Sequence, residues 1–248
     1  MSVVAIVQAR LGSSRLPGKV LADIAGDTML ARVVQRLRAA SRVHRIVIAT
    51  TTASRDDAVA AEALRLGAGC FRGSEHDVLA RYAGAARAFS ADVVVRVTSD
   101  CPLIDPDVVD RVIDALDGSL TSSRDYASNT HERTYPRGLD VEALPFAALA
   151  RIAELATSLA AREHVTAFVR ERPALFSVAH VRADVDDSDL RWTVDTAEDL
   201  QLVRALYDRL DLSRAIAPYR AVVAAVRAEP ALAAINAHVE QKAWNHVS

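Results

Sequence analysis

Short apolar runs alternate with longer amphipathic segments over the first part of this chain. The apolar runs cover residues 3–7, 45–50 and 92–98, and the amphipathic segments cover residues 27–40, 54–66 and 77–89. Each amphipathic segment opens with a polar residue that can cap a helix and then places apolar residues at helical spacing. This alternation predicts an α/β fold, with a mainly parallel central sheet covered by helices on both faces. Ligands of such folds bind beyond the carboxyl ends of the strands, so functional residues are expected there.

The rest of the chain continues this pattern after one irregular section. Residues 121–145 are rich in Ser, Thr, Asn, Pro and Gly, which predicts an excursion whose short strands leave the main sheet and cover the site. Helices are then expected at residues 145–155, 158–170, 196–210, 218–229 and 232–244, and strands at residues 177–181 and 191–194. We expect residues 1–248 to form a single domain, with an insertion near 121–145 and C-terminal helices over 212–248.

Composition and charge narrow the choice of partners. The 248 residues suffice for one large domain or two small ones, and their net charge of -2 provides no bulk attraction to nucleic acid or to an anionic membrane. The N-terminal apolar run ends before Arg10 and is therefore too short for a signal-peptide core or a membrane span. Cys70 and Cys101 form neither a metal-spaced pair nor a disulfide framework. The chain is therefore predicted to be cytoplasmic, with no nucleic-acid or membrane partner, and any anion site must be local.

The loop that follows the first apolar run is basic and contains glycine. Within residues 8–19 it carries three fixed positive charges, on Arg10, Arg15 and Lys19, and two glycines, Gly12 and Gly18. Glycine lets the backbone approach a ligand closely, and exposed amides with Arg or Lys side chains favour a polyanion such as a triphosphate. On charge alone, a merely solvated basic loop is an equal alternative. Its position directly after a buried strand favours the binding role.

Two familiar phosphate loops are excluded by spacing. Five residues separate Gly12 from Gly18, whereas a Walker A loop has four residues between its glycine and the Gly-Lys pair. A valine follows Lys19 where that motif needs Ser or Thr, and the dinucleotide pattern Gly-x-Gly-x-x-Gly is absent. The loop is therefore neither a P-loop nor a dinucleotide-binding turn.

Two aspartates stand just past predicted strands. Asp100 follows the strand that ends at Thr98, and Asp195 follows Val194. Carboxylates at the ends of separate strands can converge, and hard oxygen ligands near a triphosphate indicate Mg²⁺, which takes one or two protein carboxylates. Taken singly, each aspartate has an alternative role as a turn former, and Asp195 could simply cap the helix that follows it. Taken with the basic loop, a shared Mg²⁺ site is the favoured interpretation.

With these residues in view, the chain resembles the CTP-using sugar cytidylyltransferases. That family includes the CMP-Kdo and CMP-nonulosonic acid synthetases, and the resemblance is to its spore-coat polysaccharide SpsF-like branch in particular. The segments that carry it lie in family order at residues 8–21, 73–82, 96–106, 137–142, 195–200 and 235–238. One departure concerns Ser99-Asp100-Cys101-Pro102, because the CMP-Kdo enzymes have Gly-Asp-Glu-Pro there. The metal aspartate is kept but its neighbour is not, which leaves the acceptor open.

The resemblance implies a Rossmann-like, GT-A-like nucleotidyltransferase fold of three layers, with an inserted lid and dimerisation region. It also implies attack of an acceptor oxygen on the α-phosphorus of CTP, which yields a CMP-linked compound and pyrophosphate. The acceptor would be a small acidic sugar such as a 2-keto sugar acid, and the enzyme would be a homodimer. A phosphonate or other non-sugar acid as acceptor, a sugar-transferring enzyme, and a non-catalytic nucleotide-binding module remain the alternatives.

Site residues carried over from the resemblance fall into four groups. Catalysis is assigned to Arg10, Lys19, Asp100 and Asp195. The Mg²⁺ ligands are Asp100 and Asp195. Nucleotide binding is assigned to Ala9, Arg10, Leu11, Gly12, Ser13, Arg15, Lys19, Ser74, Asp77, Thr98 and Asp100, with Ser74, Asp77 and Thr98 near the cytidine. The acceptor is expected to meet Arg137, Asp140, Glu142, Arg162 and His164, although His164 alone would more often be a surface or core residue.

Overall fold

Seven strands pair in one central sheet in the computed structural model, which describes residues 1–117 and 124–241. In chain order the strands are β1 (Val3–Gln8), β2 (Asp23–Ile24), β3 (Asp27–Thr28), β4 (Arg45–Thr51), β5 (Gly69–Gly73), β6 (Val93–Thr98), β7 (Tyr126–Ser128), β8 (Glu142–Pro145) and β9 (Val178–His180). The short strands β2 and β3 pair only with each other, and the other seven form the sheet in the order β5-β4-β1-β6-β8-β7-β9. Strands β5, β4, β1 and β6 are mutually parallel, whereas β8 runs antiparallel to both β6 and β7. The predicted mainly parallel α/β sheet is confirmed.

Helices cover both faces of this sheet. The α-helices of the described ranges are α1 (Met29–Ala39), α2 (Asp57–Arg65), α3 (Val78–Ala88), α4 (Pro106–Asp114), α5 (Phe146–Leu155), α6 (Leu159–His164), α7 (Ala167–Glu171), α8 (Ala197–Arg209), α9 (Tyr219–Ala228) and α10 (Pro230–Ala234). None of them, in the part of the chain that the structure describes, is long and apolar enough to cross a membrane.

Side chains of the central strand β1 divide between the two helical layers. Val3, Ala5 and Val7 belong to one apolar cluster with residues of α1, α4 and α8, while Val4 and Ile6 belong to a second cluster with residues of α3, α5 and α7. All five are at most 2% exposed. Burying each larger one fully is worth about 1.5–3 kcal/mol, which is why a run without polar alternation forms a strand covered on both faces.

The strand β5 and the helix α4 were not predicted from the sequence. Strand β5 is the sheet edge, and its sequence, Gly69-Cys70-Phe71-Arg72-Gly73, is neither an apolar run nor a clear alternation. Helix α4 did carry a start signal: the Asp105 side chain accepts hydrogen bonds from the amides of Asp107 and Val108, and a proline occupies the first turn.

The middle section does not leave the main sheet, so that part of the prediction is wrong. Strands β7 and β8 are members of the seven-stranded sheet, and β8 extends it directly beside β6. Residues 141–144 are buried, and the backbone of β8 finds its hydrogen-bond partners by pairing with β6 and β7 in the sheet. Residues 118–123, which include the start of the predicted insertion, lie outside the described residues.

Three later elements also differ from the prediction. The helix expected at 158–170 is two helices, because Val165 has a φ of 57°, a strained value for a β-branched residue. Residues 191–194 form no strand beyond a single bridge between Arg191 and Arg137, since their amides bond to loop carbonyls around the cleft described below. The last described helix, α10, ends at Ala234, before most of the predicted helix at 232–244; residues 242–248 lie outside the described part.

Candidate active site

An open cleft of about 820 Å³ lies at the carboxyl ends of β1 and β6. Gln8 and Ala9 from the end of β1, and Thr98 and Ser99 from the end of β6, line its floor. Its walls come from the basic loop, from residues 130–142, from residues 163–170 and from residues 193–195. The site is therefore at the sheet edge where the strand order predicts ligands to bind.

The basic loop is held in place by its own backbone. The Leu11 amide donates to Asp56 Oδ1 at 2.7 Å, and the Gly18 amide donates to the Leu11 carbonyl at 3.1 Å. Gly18 has a φ of 73°, which a residue with a side chain adopts only with strain. Leu11 packs against the core and does not line the cleft, so its contribution is to anchor the loop rather than to face a ligand.

Lys19 lies between the two predicted metal aspartates. Its Nζ donates to Asp100 Oδ2 and to Asp195 Oδ1, both at 2.9 Å, and to the Val194 carbonyl at 2.6 Å. These bonds use all three donors of the ammonium. Asp100 and Asp195 thus meet at the Lys19 ammonium, which is the convergence of the two carboxylates that the sequence predicted.

The charges at this point stabilise one another. Burial would lower the pKa of the Lys19 ammonium, but Asp100 and Asp195 outweigh burial, so this pKa lies above its ordinary value. Burial would raise the pKa of the Asp195 carboxyl, yet the charges of Lys19 and Arg15 keep it below its ordinary value. The Lys19 ammonium and the Asp195 carboxylate are therefore both charged at neutral pH.

The other two loop cations also contact carboxylates. Arg15 pairs with Asp195 Oδ2 at 2.9 Å, and Arg10 lies 3.7 Å from Glu75. Arg10, Gly12, Ser13, Arg15 and Lys19 all line the cleft. Every predicted phosphate-binding cation is thus in the cleft and near an acidic partner.

Asp195 does not cap the helix that follows it, which removes the alternative role considered above. Thr196 is the N-cap of α8: its side chain accepts from the Asp199 amide, and the Asp199 carboxylate accepts from the Thr196 amide in return. The Asp195 side chain instead accepts hydrogen bonds from Lys19 and Arg191. Its carboxylate is directed toward the cleft and away from the helix start.

The donor chemistry at this point fits Mg²⁺. Among the described residues, no group of three or more His, Cys, Asp or Glu side chains could hold a metal. Mg²⁺ needs no such group, because it keeps several waters and takes only one or two protein carboxylates. Asp100 and Asp195 already bring two oxygens to within 2.9 Å of a single cation, the Lys19 ammonium. The pair can receive a metal if Lys19 moves off it.

At the other end of the cleft, a glycine positions Arg137. Gly138 has a φ of 104°, and a Cβ there would come within 2.5 Å of the Thr193 amide nitrogen. This close approach lets the Arg137 carbonyl accept from the amides of Trp192 and Thr193. The Arg137 side chain lines the cleft and forms no ion pair or hydrogen bond with any described residue. Burial, chiefly, lowers its pKa, but a guanidinium stays charged.

Asp140 and Glu142 line the same end but are already bonded. Asp140 accepts two bonds from Arg133, at 2.5 and 2.9 Å. Glu142 accepts from the hydroxyls of Tyr126 and Thr166 and from the Arg96 guanidinium. Burial would raise the pKa of Glu142, but Arg96 and the hydroxyls keep it below its ordinary value. In this conformation both acids hold arginines at the cleft wall.

His164 is the last residue of α6 and lines the cleft beside Thr166. Its Nε2 is buried without a hydrogen-bond partner among the described residues. Burial is the main reason why the pKa of His164 lies below its ordinary value, so the imidazole is neutral near pH 7. The strained backbone at Val165 keeps His164 at the cleft while Thr166 reaches Glu142.

Besides Leu11, three predicted residues do not line the cleft: Ser74, Asp77 and Arg162. Asp77 caps α3 by accepting from the Ala80 amide, and its other carboxylate oxygen pairs with the Arg162 guanidinium. Ser74 Oγ accepts from the Asp77 amide at 3.0 Å. In this conformation Asp77 and Arg162 fasten α3 to α6, and a direct contact of either with a ligand would require their ion pair to open.

Several cleft residues were missed by sequence reasoning. They are Gln8, Arg81, Arg96, Arg133, Thr166 and Arg170. Arg96 did carry a signal, because it is the one charged residue within the apolar strand β6. Arg81 and Arg170 are on helices among other charged residues, where the sequence offers nothing to distinguish them.

A mainly parallel α/β sheet with a cationic cleft and a carboxylate pair at its carboxyl edge is the arrangement expected of a nucleotidyltransferase. The sequence matches the family model described as "Cytidylyltransferase" over residues 4–219. The chain therefore belongs to the cytidylyltransferase family and is a nucleotidyltransferase, and the family resemblance drawn from its motifs is confirmed.

Similar proteins agree with this assignment. The chain is 34% identical to the spore coat polysaccharide biosynthesis protein SpsF of Bacillus subtilis over 211 residues, which are 82% of this chain and 85% of that protein. It is 38% identical over 122 residues to the 3-deoxy-manno-octulosonate cytidylyltransferase of Trichlorobacter lovleyi, covering 48% of this chain and 46% of that one. The structure of a cytidylyltransferase from Leptospira borgpetersenii superimposes with a TM-score of 0.87 at 28% identity, covering 98% and 99% of the two chains.

Proposed function

We propose that this cytidylyltransferase transfers CMP from CTP to a small acidic sugar, of the 2-keto sugar acid class, in an Mg²⁺-dependent reaction that releases pyrophosphate. An acceptor oxygen attacks the α-phosphorus of CTP, a new phosphorus–oxygen bond forms, and the bond to the bridging oxygen of the β-phosphate breaks. The acceptor proton is released to solvent or to a nearby base. No protein nucleophile is required, because such transfers depend on positioning and on charge stabilisation.

The observation that carries the acidic acceptor is the charge of the cleft. Its described lining contains eight Arg or Lys side chains and five Asp or Glu side chains, which gives a formal charge of +3. A fully ionised triphosphate together with one divalent cation leaves one positive charge uncompensated. Three cations of this lining, Arg81, Arg137 and Arg170, form no salt bridge with any described residue. Arg81 donates to the Ser74 carbonyl and Arg170 to the Thr130 hydroxyl. The Arg137 side chain makes no such bond among the described residues, and its planar guanidinium would bind a carboxylate through two hydrogen bonds.

At the nucleotide end, the loop cations exchange partners. Lys19 and Arg15 leave Asp100 and Asp195 and bind the phosphates, while Arg10 meets them from the rim. Lys19 would then stabilise the charge that builds on the departing pyrophosphate. Asp100 and Asp195, once released, would hold Mg²⁺. When bound, the metal would lower the pKa of the acceptor hydroxyl and neutralise charge on the α-phosphate.

A panel of acceptors tests this proposal. Pyrophosphate release is measured with CTP and Mg²⁺ for several 2-keto sugar acids, for the same sugars with the carboxylate converted to an amide, and for phosphonates. We expect turnover only with the acids. Turnover with phosphonates alone would replace the sugar acid as substrate, and equal rates for acids and amides would remove the role of Arg137.

We also propose that the enzyme is a homodimer, on the basis of the family-like section near residues 121–145. Strand β7 of this section pairs with β9, and β9 is the edge of the sheet, which leaves a row of backbone groups for a partner. Light scattering of the purified protein tests this, and a monomer at micromolar concentration would contradict it.

A further inference from the structure

The C-terminal segment reaches back to the site although it lies beyond the matched residues 4–219. Asn236 is only 5% exposed. Its Nδ2 donates to the Arg191 carbonyl at 3.0 Å and to Asp199 Oδ1 at 2.8 Å. Gln241 accepts from the Arg191 guanidinium through its Oε1 and also lines the cleft. Both residues therefore contact the group that surrounds Asp195.

Arg191 links these contacts to the carboxylate of Asp195. Its guanidinium donates to both oxygens of Asp199 at 3.0 Å and to Asp195 Oδ2 at 2.8 Å. Asp199 in turn accepts from the Asp195 amide at 2.9 Å. The backbone and the side chain of Asp195 are thus both held by a buried pair, and that pair is held by Asn236 and Gln241.

We infer that Asn236 and Gln241 are positioning residues of the active site, which act through Arg191 to hold the Asp195 carboxylate in place for the metal. The inference rests on the proposed function, in which Asp195 is a metal ligand. Partners that orient a ligating carboxylate are expected to tune metal affinity, and their loss typically costs about 10–100-fold in affinity. They are not expected to alter nucleotide binding without metal.

A merely structural role for the tail would produce a different result. Asn236→Ala removes two buried hydrogen bonds and lowers stability in either case. Val226→Ala is a matched control, because Val226 is a buried core residue of α9 that makes no polar contact with the Arg191 group. Gln241 is exposed, so Gln241→Ala does not threaten folding, and His238→Ala is its control on the same exposed segment.

The experiment measures the dissociation constant of CTP twice for each variant, without acceptor: once with EDTA and once with saturating Mn²⁺. The dissociation constant in EDTA divided by that in Mn²⁺ reports how much the metal tightens binding of the nucleotide. We expect Asn236→Ala and Gln241→Ala to reduce this ratio about tenfold while the constant in EDTA is unchanged. Val226→Ala and His238→Ala should leave the ratio as it is in the wild type.

The outcomes distinguish the metal role of Asp195 from the positioning role of Asn236 and Gln241. If Mn²⁺ does not tighten CTP binding to the wild type, or if Asp195→Asn leaves the ratio unchanged, the metal role of Asp195 fails and the inference fails with it. If Asp195→Asn removes the coupling but both tail variants retain it, the inference alone is overturned. A loss in one tail variant assigns the positioning role to that residue, and an equal loss in Val226→Ala shows that general destabilisation explains the effect.

Discussion

The two ends of the cleft differ in how their charges are compensated. At the nucleotide end, Lys19 and Arg15 are paired with Asp100 and Asp195. At the proposed acceptor end, Arg137 lines the cleft and forms no salt bridge with any described residue. The cations of the first end are paired without a ligand and, in the proposed mechanism, would exchange partners when one binds. The second end has a guanidinium whose hydrogen-bond donors would be available to an anionic ligand.

This difference has a thermodynamic consequence. Lys19 lies between the two carboxylates. In the proposed mechanism metal and phosphate binding would therefore be coupled, because phosphates would draw the ammonium away and the metal would take its place. Coupling of this kind is reciprocal, so each ligand tightens binding of the other by the same factor. No such coupling is expected for the acceptor carboxylate at Arg137.

The largest effect is expected from the carboxylates of the nucleotide end. Asp100→Asn and Asp195→Asn should each lower kcat/KM by at least about 10³, and the double variant should lose little more, because groups that act as one unit are non-additive. Pyrophosphate release across a range of Mg²⁺ concentrations measures this.

The control for these variants is Asp189→Asn, which breaks an exposed pair with Arg227; neither residue lines the cleft. It should leave the rate unchanged. A wild-type rate for Asp195→Asn would show that Asp195 is not a metal ligand, and Asp100 would remain the sole supported one. Helix capping is not the role of Asp195, because Thr196 caps α8.

Lys19→Met should give the next largest effect. We expect a fall in rate of about 10²–10³, because one preorganised charge at the departing phosphate is lost. The variant should also bind Mn²⁺ before nucleotide, since no ammonium competes for the carboxylates. Calorimetry of Mn²⁺ binding to the free protein measures this. Wild type and variant binding Mn²⁺ equally well without CTP would show that Lys19 does not occupy the metal position.

The same variant tests how exposed the loop is. Sequence alone suggests a solvated lysine whose loss costs little stability. The Lys19 side chain is instead 12% exposed and joins two carboxylates, so its removal should cost about 1–3 kcal/mol of unfolding free energy. A thermal melt compared with Arg10→Ala, at the cleft rim, measures the difference.

The sequence predicted the nucleotide end of the cleft better than the contacts elsewhere in the site. Around Lys19, Asp100 and Asp195, a buried strand or apolar segment precedes each functional residue, so strand order alone brings them together. The contacts of Asp77, Glu142 and Arg162 could not be predicted, because they depend on which helix packs beside which strand. The position of a polar residue in a motif predicts that it lies near the site. Whether its side chain can contact a ligand depends on the partners that it meets in the folded chain.

Arg137→Ala should affect only the acceptor. We expect the KM for an acidic acceptor to rise about 10–100-fold, the equivalent of one charged hydrogen-bonding group, with the KM for CTP unchanged. An acceptor whose carboxylate is an amide should show the same loss with the wild type and no further loss with the variant. Arg182→Ala, at an exposed surface pair, is the control. A rise in the KM for CTP instead would move Arg137 to the nucleotide end.

The smallest expected effect concerns the pH dependence of stability beside the acceptor end. His131 packs against Tyr126 and His180, and burial, followed by the positive charge of Arg170, lowers its pKa from 6.5 to about 4. Between these two values the unfolded chain binds a proton that the folded chain does not. The contribution of His131 to stability is therefore complete above pH 6.5 and is lost as the pH falls toward 4.

His131→Phe keeps the ring but removes the titration, so its stability should fall less steeply than that of the wild type when the pH is lowered across this window. Urea unfolding at a series of pH values measures the two slopes, and His238→Ala, which removes an exposed imidazole, should retain the wild-type slope. In Arg170→Ala the slope should also flatten, because less positive charge opposes protonation of His131. If His131→Phe and the wild type have the same slope, neither burial nor Arg170 lowers the pKa of His131. If Arg170→Ala alone retains the wild-type slope, the positive charge of the acceptor end does not reach this imidazole, and the contrast between the two ends is confined to the residues that line the cleft.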